Sequence, residues 1–312
     1  MVKMTKDEIA ISIVFPILGI IAGILLYQPP GNKVFEALPR LYLPYNPATL
    51  RAIAISLGLM ILGPAIGYYK YMKRIESIIE NTPLMLQDLS VVVRSGTKVY
   101  AAFTEIAERD YGALTPYILR IATMIYILGL DLIDAIRLVL KELPKETRKY
   151  FYFIEEAYES GGRAMEVLDK ASELARRIRE FEMEREKTLK NQGFIILFSV
   201  LIFVATAAIL YYLSVQMYAS AIEVNKKLGK QQLQPLDPLE VLGYVFYMAL
   251  SLSLTAGMAT GKIVKGNMAA GLFYALIVYA LSMGILFALP LIIPPYPKHL
   301  QQQATNIPGF GR

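Results

Sequence analysis

The sequence predicts an all-α membrane protein with about five transmembrane helices and one cytoplasmic six-helix bundle between the second and the third. The chain has 312 residues, of which 55% are hydrophobic. Five apolar blocks without a charged residue have the ~20-residue length that crosses a bilayer core. The segment between the second and third blocks is instead rich in charge and in helical periodicity, which indicates a water-soluble domain with its own core.

The apolar blocks divide the chain into four regions. We predict an N-terminal membrane hairpin at 1–69, with spans 9–27 and 52–69, followed by a cytoplasmic helical domain at 70–191. A C-terminal membrane region at 192–293 then contains the spans 193–215, 241–260 and 269–293. A flexible extracellular tail at 294–312 ends the sequence. Residues 28–51 and 216–240 are predicted to be loops between spans, because proline interrupts both.

Pairs of glycines four residues apart occur in three of the spans. They are Gly19/Gly23, Gly63/Gly67 and Gly257/Gly261. This spacing lets transmembrane helices approach closely, so we interpret all three pairs as helix-packing positions. Pro16 and Pro64 are expected to kink the first two spans locally.

Cationic residues at the ends of two spans set the predicted orientation through the positive-inside rule. They follow the second span and precede the third: Lys70, Lys73, Arg74, Arg185, Lys187 and Lys190. The segment 70–191 and the N-terminus are therefore predicted to be cytoplasmic, and the C-terminus extracellular. Three lysines between 226 and 230 fall on the outer side and oppose this arrangement.

Composition excludes several kinds of chemistry. The chain has no cysteine, and its only histidine, His299, lies in the tail. No motif for nucleotide binding, serine hydrolysis or zinc hydrolysis occurs, so we expect no enzyme activity, cofactor or metal. The segment 70–191 has 20 basic and 20 acidic residues, so the net charge of +6 lies outside it. We interpret that excess as contact with lipid headgroups rather than with nucleic acid.

Start and stop signals divide the segment 70–191 into six helices. The predicted helices begin at Pro83, Lys98, Thr115 (as an N-cap), Asp131 and Lys145, and they end at Ser95-Gly96, Asp110, Leu128-Gly129, Leu143 and Ser160. The sixth helix starts after Gly162 and continues into the third span. A heptad-like stripe marks its first half as a stiff stalk: Val167, Ala171, Leu174, Ile178 and Phe181.

A glycine recurs every 33 residues in this domain, at Gly96, Gly129 and Gly162. Each one ends a helix and precedes an amphipathic helix, which favours a compact bundle of hairpins over a solenoid. We interpret these turn glycines, together with the adjacent Gly161, as left-handed residues that terminate helices.

An acidic cluster of Glu155, Glu156 and Glu159 precedes the last of these turns. The cluster could hold a cation, or it could be a solvated helix face. Because basic residues are equally numerous around it, the solvated face is favoured.

The helical domain resembles a known family in three stretches. They read LMLQDLSVVVRSGTKVYAAFTEIAE, GLDLIDAIRLVLKELP and FYFIEEAYESGGRAMEVLDKASELARRIREFEMEREKTLK. These are similar to the F domain of type II secretion systems and of the platform proteins of type IV pilus assembly, most closely to the archaeal and Tad-like branch. The resemblance covers about 70–215.

The resemblance implies a non-enzymatic membrane platform that docks a cytoplasmic hexameric secretion ATPase and couples it to pilin subunits. We hypothesise that docking uses Glu155, Glu156, Glu159, Arg163 and the turn that contains Gly129, Asp131 and Asp134. Many family members have two copies of the domain and this chain has one, which favours a homodimer or a pair with a sister subunit. A permease subunit coupled to a soluble ATPase and a motor-free membrane scaffold are the two alternatives.

Overall fold

A computed structural model of the chain describes residues 4–29, 33–38, 41–228 and 237–295. Its elements are helix α1 (Lys6–Leu26), strands β1 (Val34–Leu38) and β2 (Leu41–Pro44), and helices α2 (Pro47–Arg94), α3 (Val99–Ile106), α4 (Thr115–Tyr126), α5 (Leu132–Leu140), α6 (Lys145–Ser160), α7 (Ala164–Leu228), α8 (Pro238–Lys265) and α9 (Gly271–Ile292). Short 3-10 turns precede three helices, at Gly112–Leu114, Gly161–Arg163 and Met268–Ala270. The predicted tail lies outside the described residues from 296 onward.

The predicted all-α membrane class is confirmed. Five helices of the described part are long and apolar enough to cross a membrane, and each overlaps one of the predicted apolar blocks almost completely: α1, α2, α7, α8 and α9. At 1.5 Å per residue, α2 and α7 are much longer than a bilayer core requires. Both helices therefore also supply residues to the region between the second and third spans.

The chain forms two compact units. The helical unit comprises Met1–Ile9 and Tyr69–Thr188, and the membrane unit comprises Ala10–Tyr68 and Leu189–Arg312. One continuous apolar core fills the helical unit, and its largest fully buried members include Ile78, Met85, Leu86, Leu89, Phe103, Ile118 and Phe151. Helix α5 shows how the sequence builds this core, since its buried positions recur at helical spacing: Leu132, Ala135, Ile136 and Val139.

The predicted helix start at Pro83 is wrong, because α2 continues through this residue without interruption. A proline inside a helix removes one N–H donor and crowds the preceding turn. Two side chains just before it bond to carbonyl groups of that turn. The Thr82 hydroxyl donates to the Ile78 carbonyl at 2.7 Å, and the Asn81 amide donates to the Ser77 carbonyl at 2.8 Å. The helix continues because residues on both sides of the proline, Ile78 before it and Met85 and Leu86 after it, are buried in the same apolar core.

The N-terminus is fastened to the helical unit by a buried ion pair. Thr5 and Glu8 form a reciprocal capping box at the start of α1, with the Thr5 N–H donating to the Glu8 carboxylate at 2.7 Å. Glu8 is only 6% exposed, and its carboxylate accepts a hydrogen bond from the Arg74 guanidinium at 3.1 Å. The pair joins the start of α1 to the second half of α2 within the helical unit.

The predicted loop 28–51 contains a β-hairpin instead. Strands β1 and β2 pair antiparallel, with Phe35 opposite Leu43. The Phe35 ring is buried and lies 4.1 Å from the ring of Tyr244 in α8, centroid to centroid. The Tyr247 hydroxyl donates to the Pro44 carbonyl at 3.0 Å. Aromatic packing against α8 therefore supports a two-stranded ribbon that would be marginal alone.

The predicted loop 216–240 is also shorter than expected, because α7 continues to Leu228 and α8 begins at Pro238. Asp237 caps α8 by accepting from the Leu239 N–H, and proline fits the first helical turn, where its missing N–H is not needed. Residues 229–236 of this loop lie outside the described part of the chain.

The membrane unit is packed through small residues. A Cβ at Gly257 would overlap the backbone of Ala275, and one at Gly261 would overlap the backbone of Gly271. These glycines let α8 and α9 touch through their main chains, as expected for small residues at this spacing. The glycines of the first two spans are also tightly placed. A Cβ at Gly19 or Gly63 would lie 2.7 Å from a carbonyl oxygen of the facing helix, and a Cβ at Gly23 would lie 2.8 Å from the Ser56 hydroxyl. The fourth glycine, Gly67, is buried.

Candidate docking surface on the helical unit

Three glycines with positive φ set where the helices of this unit begin. Gly96, Gly129 and Gly161 have φ of 95°, 66° and 56°. Helices α3, α5 and α7 each start three residues after one of them. The repeat therefore passes through Gly161 and not through Gly162, whose φ is not positive. The position three residues after this glycine is therefore Ala164, which is buried, whereas Met165, three residues after Gly162, is 43% exposed.

The turn between α4 and α5 is a C-terminal cap followed directly by an N-terminal cap. The Leu130 N–H donates to the Met124 carbonyl at 3.1 Å across Gly129, so the chain after this glycine folds back onto the last turn of α4. Asp131 then caps α5 by accepting from the Ile133 N–H at 3.2 Å. A cap of this type stabilises a helix by about 1 kcal/mol.

Asp131 also joins this turn to α6. Its second carboxylate oxygen accepts a hydrogen bond from the Tyr158 hydroxyl at 2.7 Å. This hydrogen bond holds the pKa of Asp131 below its usual value and raises that of Tyr158. The turn and the C-terminal part of α6, which the sequence analysis assigned to one docking surface, are therefore brought together.

Glu155 does not lie on the surface as the acidic-cluster hypothesis requires. It is only 9% exposed, and its carboxylate lies 3.8 Å from the Arg137 guanidinium of α5. Burial raises its pKa; Arg137 opposes this effect and Glu159 adds to it. Helical periodicity places Glu155 next to buried Ile154 on the inner face of α6, so it supports the α5–α6 contact rather than meeting a partner.

The remaining predicted docking residues are accessible. Glu156 and Glu159 are exposed on α6, Arg163 is exposed in the turn before α7, and Asp131 and Asp134 are exposed at the start of α5. Together they form a mixed-charge rim around the ends of two neighbouring helices.

A prominent feature of the same region was missed by the sequence analysis. Tyr126, Ile127 and Leu128 at the end of α4 are 85%, 72% and 65% exposed. The signal was present, because three large apolar residues precede a helix-terminating glycine and cannot all point to one core. We call these three residues the apolar tip.

An open groove of about 690 Å³ follows the apolar tip in the sequence. It runs along α5 and α6, and its lining includes Leu130, Asp134, Arg137, Leu138, Lys141 and Tyr152. Two of the apolar members, Leu138 and Tyr152, are themselves about half exposed. The helical unit therefore presents an apolar groove with charged walls next to the mixed-charge rim.

Ion pairs hold the helices behind this surface. The Arg94 guanidinium at the end of α2 donates to both carboxylate oxygens of Asp169 in α7, at 2.7 and 2.8 Å, and Ser90 donates to the same carboxylate. The Ser90 hydroxyl and Arg94 hold the pKa of Asp169 below its usual value. Arg120 of α4 is likewise bidentate to Glu142, which lies just after α5, at 2.9 Å. Bidentate pairs of this kind fix the relative orientation of helices.

The fold defines a class of protein: a multi-pass, all-α membrane protein with a small helical unit inserted between its second and third spans. The family model for protein F of the type II secretion system (T2SS) matches residues 85–213. The matched segment runs from the second half of α2 into the third span within α7, and this part of the chain is similar to the F domain of type II secretion systems. Neither the curated proteins nor the solved structures contain a match to the chain.

Proposed function

We propose that this protein is the integral membrane platform of a type IV pilus or type II-like secretion machine. It docks a cytoplasmic hexameric ATPase and couples the ATPase to the assembly of pilin subunits. The observation that carries the proposal is the F-domain match at 85–213, which includes most of the helical unit and its exit into the membrane. The platform does no chemistry itself, because ATP hydrolysis belongs to the docked partner.

The proposed topology places the helical unit and the N-terminus in the cytoplasm and the C-terminus outside. Contacts that bring distant segments to one side of the membrane support it. The Asn267 amide, between α8 and α9, donates to the Tyr68 hydroxyl at the end of the second span at 2.6 Å. On the other side, Gly243 near the start of α8 lies against Tyr45 after the hairpin. This alternation is what five spans require, and the cations around 70–74 and 185–190 assign the first side to the cytoplasm.

Single cysteines test this topology directly, because the chain has none of its own. Tyr42→Cys in the hairpin and Tyr126→Cys in the helical unit both replace exposed side chains. A membrane-impermeant maleimide applied to intact cells should label the first variant only, and should label both after permeabilisation. Labelling of Tyr126→Cys in intact cells would reverse the orientation.

The proposed docking surface consists of Glu156, Glu159, Arg163 and the turn at 129–134. Mixed charges of this kind favour a reversible and specific contact more than a tight one. Helix α7 is a single 65-residue helix that carries the chain from this unit into the third span, so it is the element that would pass motion to the pilins. The chain has one matched F domain, and we expect two platform subunits, identical or sister, in the machine.

Charge reversal at the exposed acids tests the docking role. The variant Glu156→Lys with Glu159→Lys should abolish pilus assembly and ATPase binding while leaving the protein folded. The matched control is Glu173→Lys with Glu180→Lys. It changes two exposed acids of α7, each of which forms an i,i+4 ion pair with an arginine of the same helix. Normal piliation of the first variant would reject the docking assignment. Glu155 is omitted, since a lysine at that buried position would disturb the fold itself.

A further inference from the structure

The apolar tip has no structural role that explains its exposure. Tyr126 is the last residue of α4, Ile127 and Leu128 follow it directly, and the three are between 65% and 85% exposed. They belong to the helical unit and lie outside the five candidate spans. A contiguous exposed apolar patch on a soluble surface usually marks an interaction site. Folding alone would be served equally well by polar residues before Gly129.

The adjacent groove extends this apolar surface in one direction. Leu130 follows the tip and lines the groove, together with Leu138 of α5 and Tyr152 of α6. The groove is lined by residues of α5 and α6 and is open to solvent, with a volume of about 690 Å³. An open apolar groove between two helices accepts the apolar face of an amphipathic helix, whose anchors recur every three to four residues.

The charge of the groove walls selects the kind of helix. Arg137, Lys141 and Arg148 line the groove together with the carboxylate of Asp134, and Arg137 also lies 3.8 Å from the buried Glu155 carboxylate, so the cations exceed the carboxylates by one. The Arg148 guanidinium donates to the carbonyls of Leu143 and Lys141 at 2.9 and 3.0 Å. These bonds orient the guanidinium and leave its positive charge available to a carboxylate. An occupant with acidic residues beside its apolar face is therefore complementary.

We infer that the apolar tip and the groove together seat an acidic amphipathic helix of the docked ATPase. This inference rests on the proposed function, and it names which part of the platform surface supplies the binding energy. Ile127 and Leu128 are the anchors, since buried apolar contacts at the centre of an interface dominate affinity. The hydrogen bond from Tyr158 to Asp131 holds the end of α6 beside the turn that follows the tip, so the exposed Glu156 and Glu159 on α6 would fix the orientation of the bound helix.

The test uses the full chain in lipid nanodiscs and the purified cognate hexameric ATPase. Binding is measured for the wild type and for Ile127→Glu with Leu128→Glu. Loss of two anchors should weaken binding by at least about 30-fold, which corresponds to a hot spot of about 2 kcal/mol. The matched control is Leu84→Glu, a 54% exposed leucine on α2 outside the groove, which should bind like the wild type. Far-UV circular dichroism confirms that each variant remains helical.

A pair of charge variants tests the acidic character of the occupant. Lys141→Glu should slow association several-fold, whereas Asp134→Lys should accelerate it, and high salt should remove both effects. Opposite signs, or equal rates for both variants, would overturn the assignment of an acidic helix.

The outcomes separate this inference from the function on which it rests. If the wild type binds the ATPase and the tip variant binds equally well, the inference is wrong and the platform function stands. If the wild type does not bind the ATPase at all, both are overturned. A photo-crosslinking amino acid at Ile127 identifies the occupant in cells: a crosslinked ATPase peptide supports the inference, and crosslinks only to lipid or to a second copy of this chain overturn it.

Discussion

Replacing Gly261 with alanine is expected to force α8 and α9 apart, since the contact has no space for a methyl group. A Cβ at this position would overlap the backbone of Gly271 and lie 2.8 Å from the carbonyl carbon of Ala270. Ordinary van der Waals contact needs 3.4–4 Å, and the obstructing atoms are main chain that cannot rotate away. The helices must therefore part by roughly 1 Å, a gap that forfeits a quarter to a half of each dispersion contact along the seam.

The expected loss is about 1–3 kcal/mol of folding free energy, the range found for overpacked interiors. Gly284 of α9 provides a matched control, because a Cβ there meets nothing within 4 Å. Gly284→Ala should be neutral or gain up to about 1 kcal/mol from its higher helix propensity. The two substitutions are chemically identical, so the difference between them reports the contact alone.

The assay is thermal unfolding of the detergent-solubilised full chain, followed by far-UV circular dichroism at one fixed heating rate. Gly284→Ala should melt at or above the temperature of the wild type, and Gly261→Ala should melt several degrees below it. Equal melting temperatures for the two variants would refute main-chain contact between α8 and α9.

Three further predictions concern the helical unit. Gly129→Val should destabilise it by about 1–2 kcal/mol, because a side chain is strained in the left-handed backbone conformation of this residue. Gly162→Ala should be tolerated, because φ is not positive there and a Cβ meets nothing within 4 Å, and thermal unfolding of both variants tests the difference. The pKa of Glu155 is raised in the fold, so its contribution to stability is greatest below about pH 4.5 and is lost as the pH rises through the raised pKa. Urea titrations at several pH values should show this decline in the wild type and not in Glu155→Gln. The lowered pKa of Asp169 has the opposite sign: its contribution is present above about 3.8 and is lost as the pH falls, so Asp169→Asn should lack that acid-side loss in the same titrations.

Much of the fold could be predicted from the sequence because the strongest signals are periodic and long. Five uncharged apolar blocks determine the five candidate spans, and α6 occupies the range that its flanking Pro144 and Gly161 indicate. Errors arose where tertiary contacts override a local signal. Pro83 indicates a helix start, yet α2 continues through it, because Ile78 on one side and Met85 on the other are buried in the same core. The β-hairpin was missed because its stability comes from Phe35 packing on α8, which no local pattern reveals.

The candidate docking surface shows the same division. The sequence brought Asp131 and the acidic end of α6 into one hypothesis, and the hydrogen bond from Tyr158 joins these two segments. It misjudged Glu155, since three acids in one helical turn cannot share one face and the sequence alone does not say which one turns inward. The exposure of the apolar tip was missed although its signal was present, because three consecutive large apolar residues before Gly129 cannot all face one core.

Native mass spectrometry of the tagged protein, extracted with its partners from its own cells, tests the platform function most directly. The account predicts a complex that contains a hexameric secretion ATPase together with pilin precursors, and two platform subunits. Recovery of a substrate-binding protein would contradict it in favour of a permease subunit. Recovery of the chain alone, under conditions that preserve other membrane complexes of the same cells, would contradict it in favour of a motor-free scaffold.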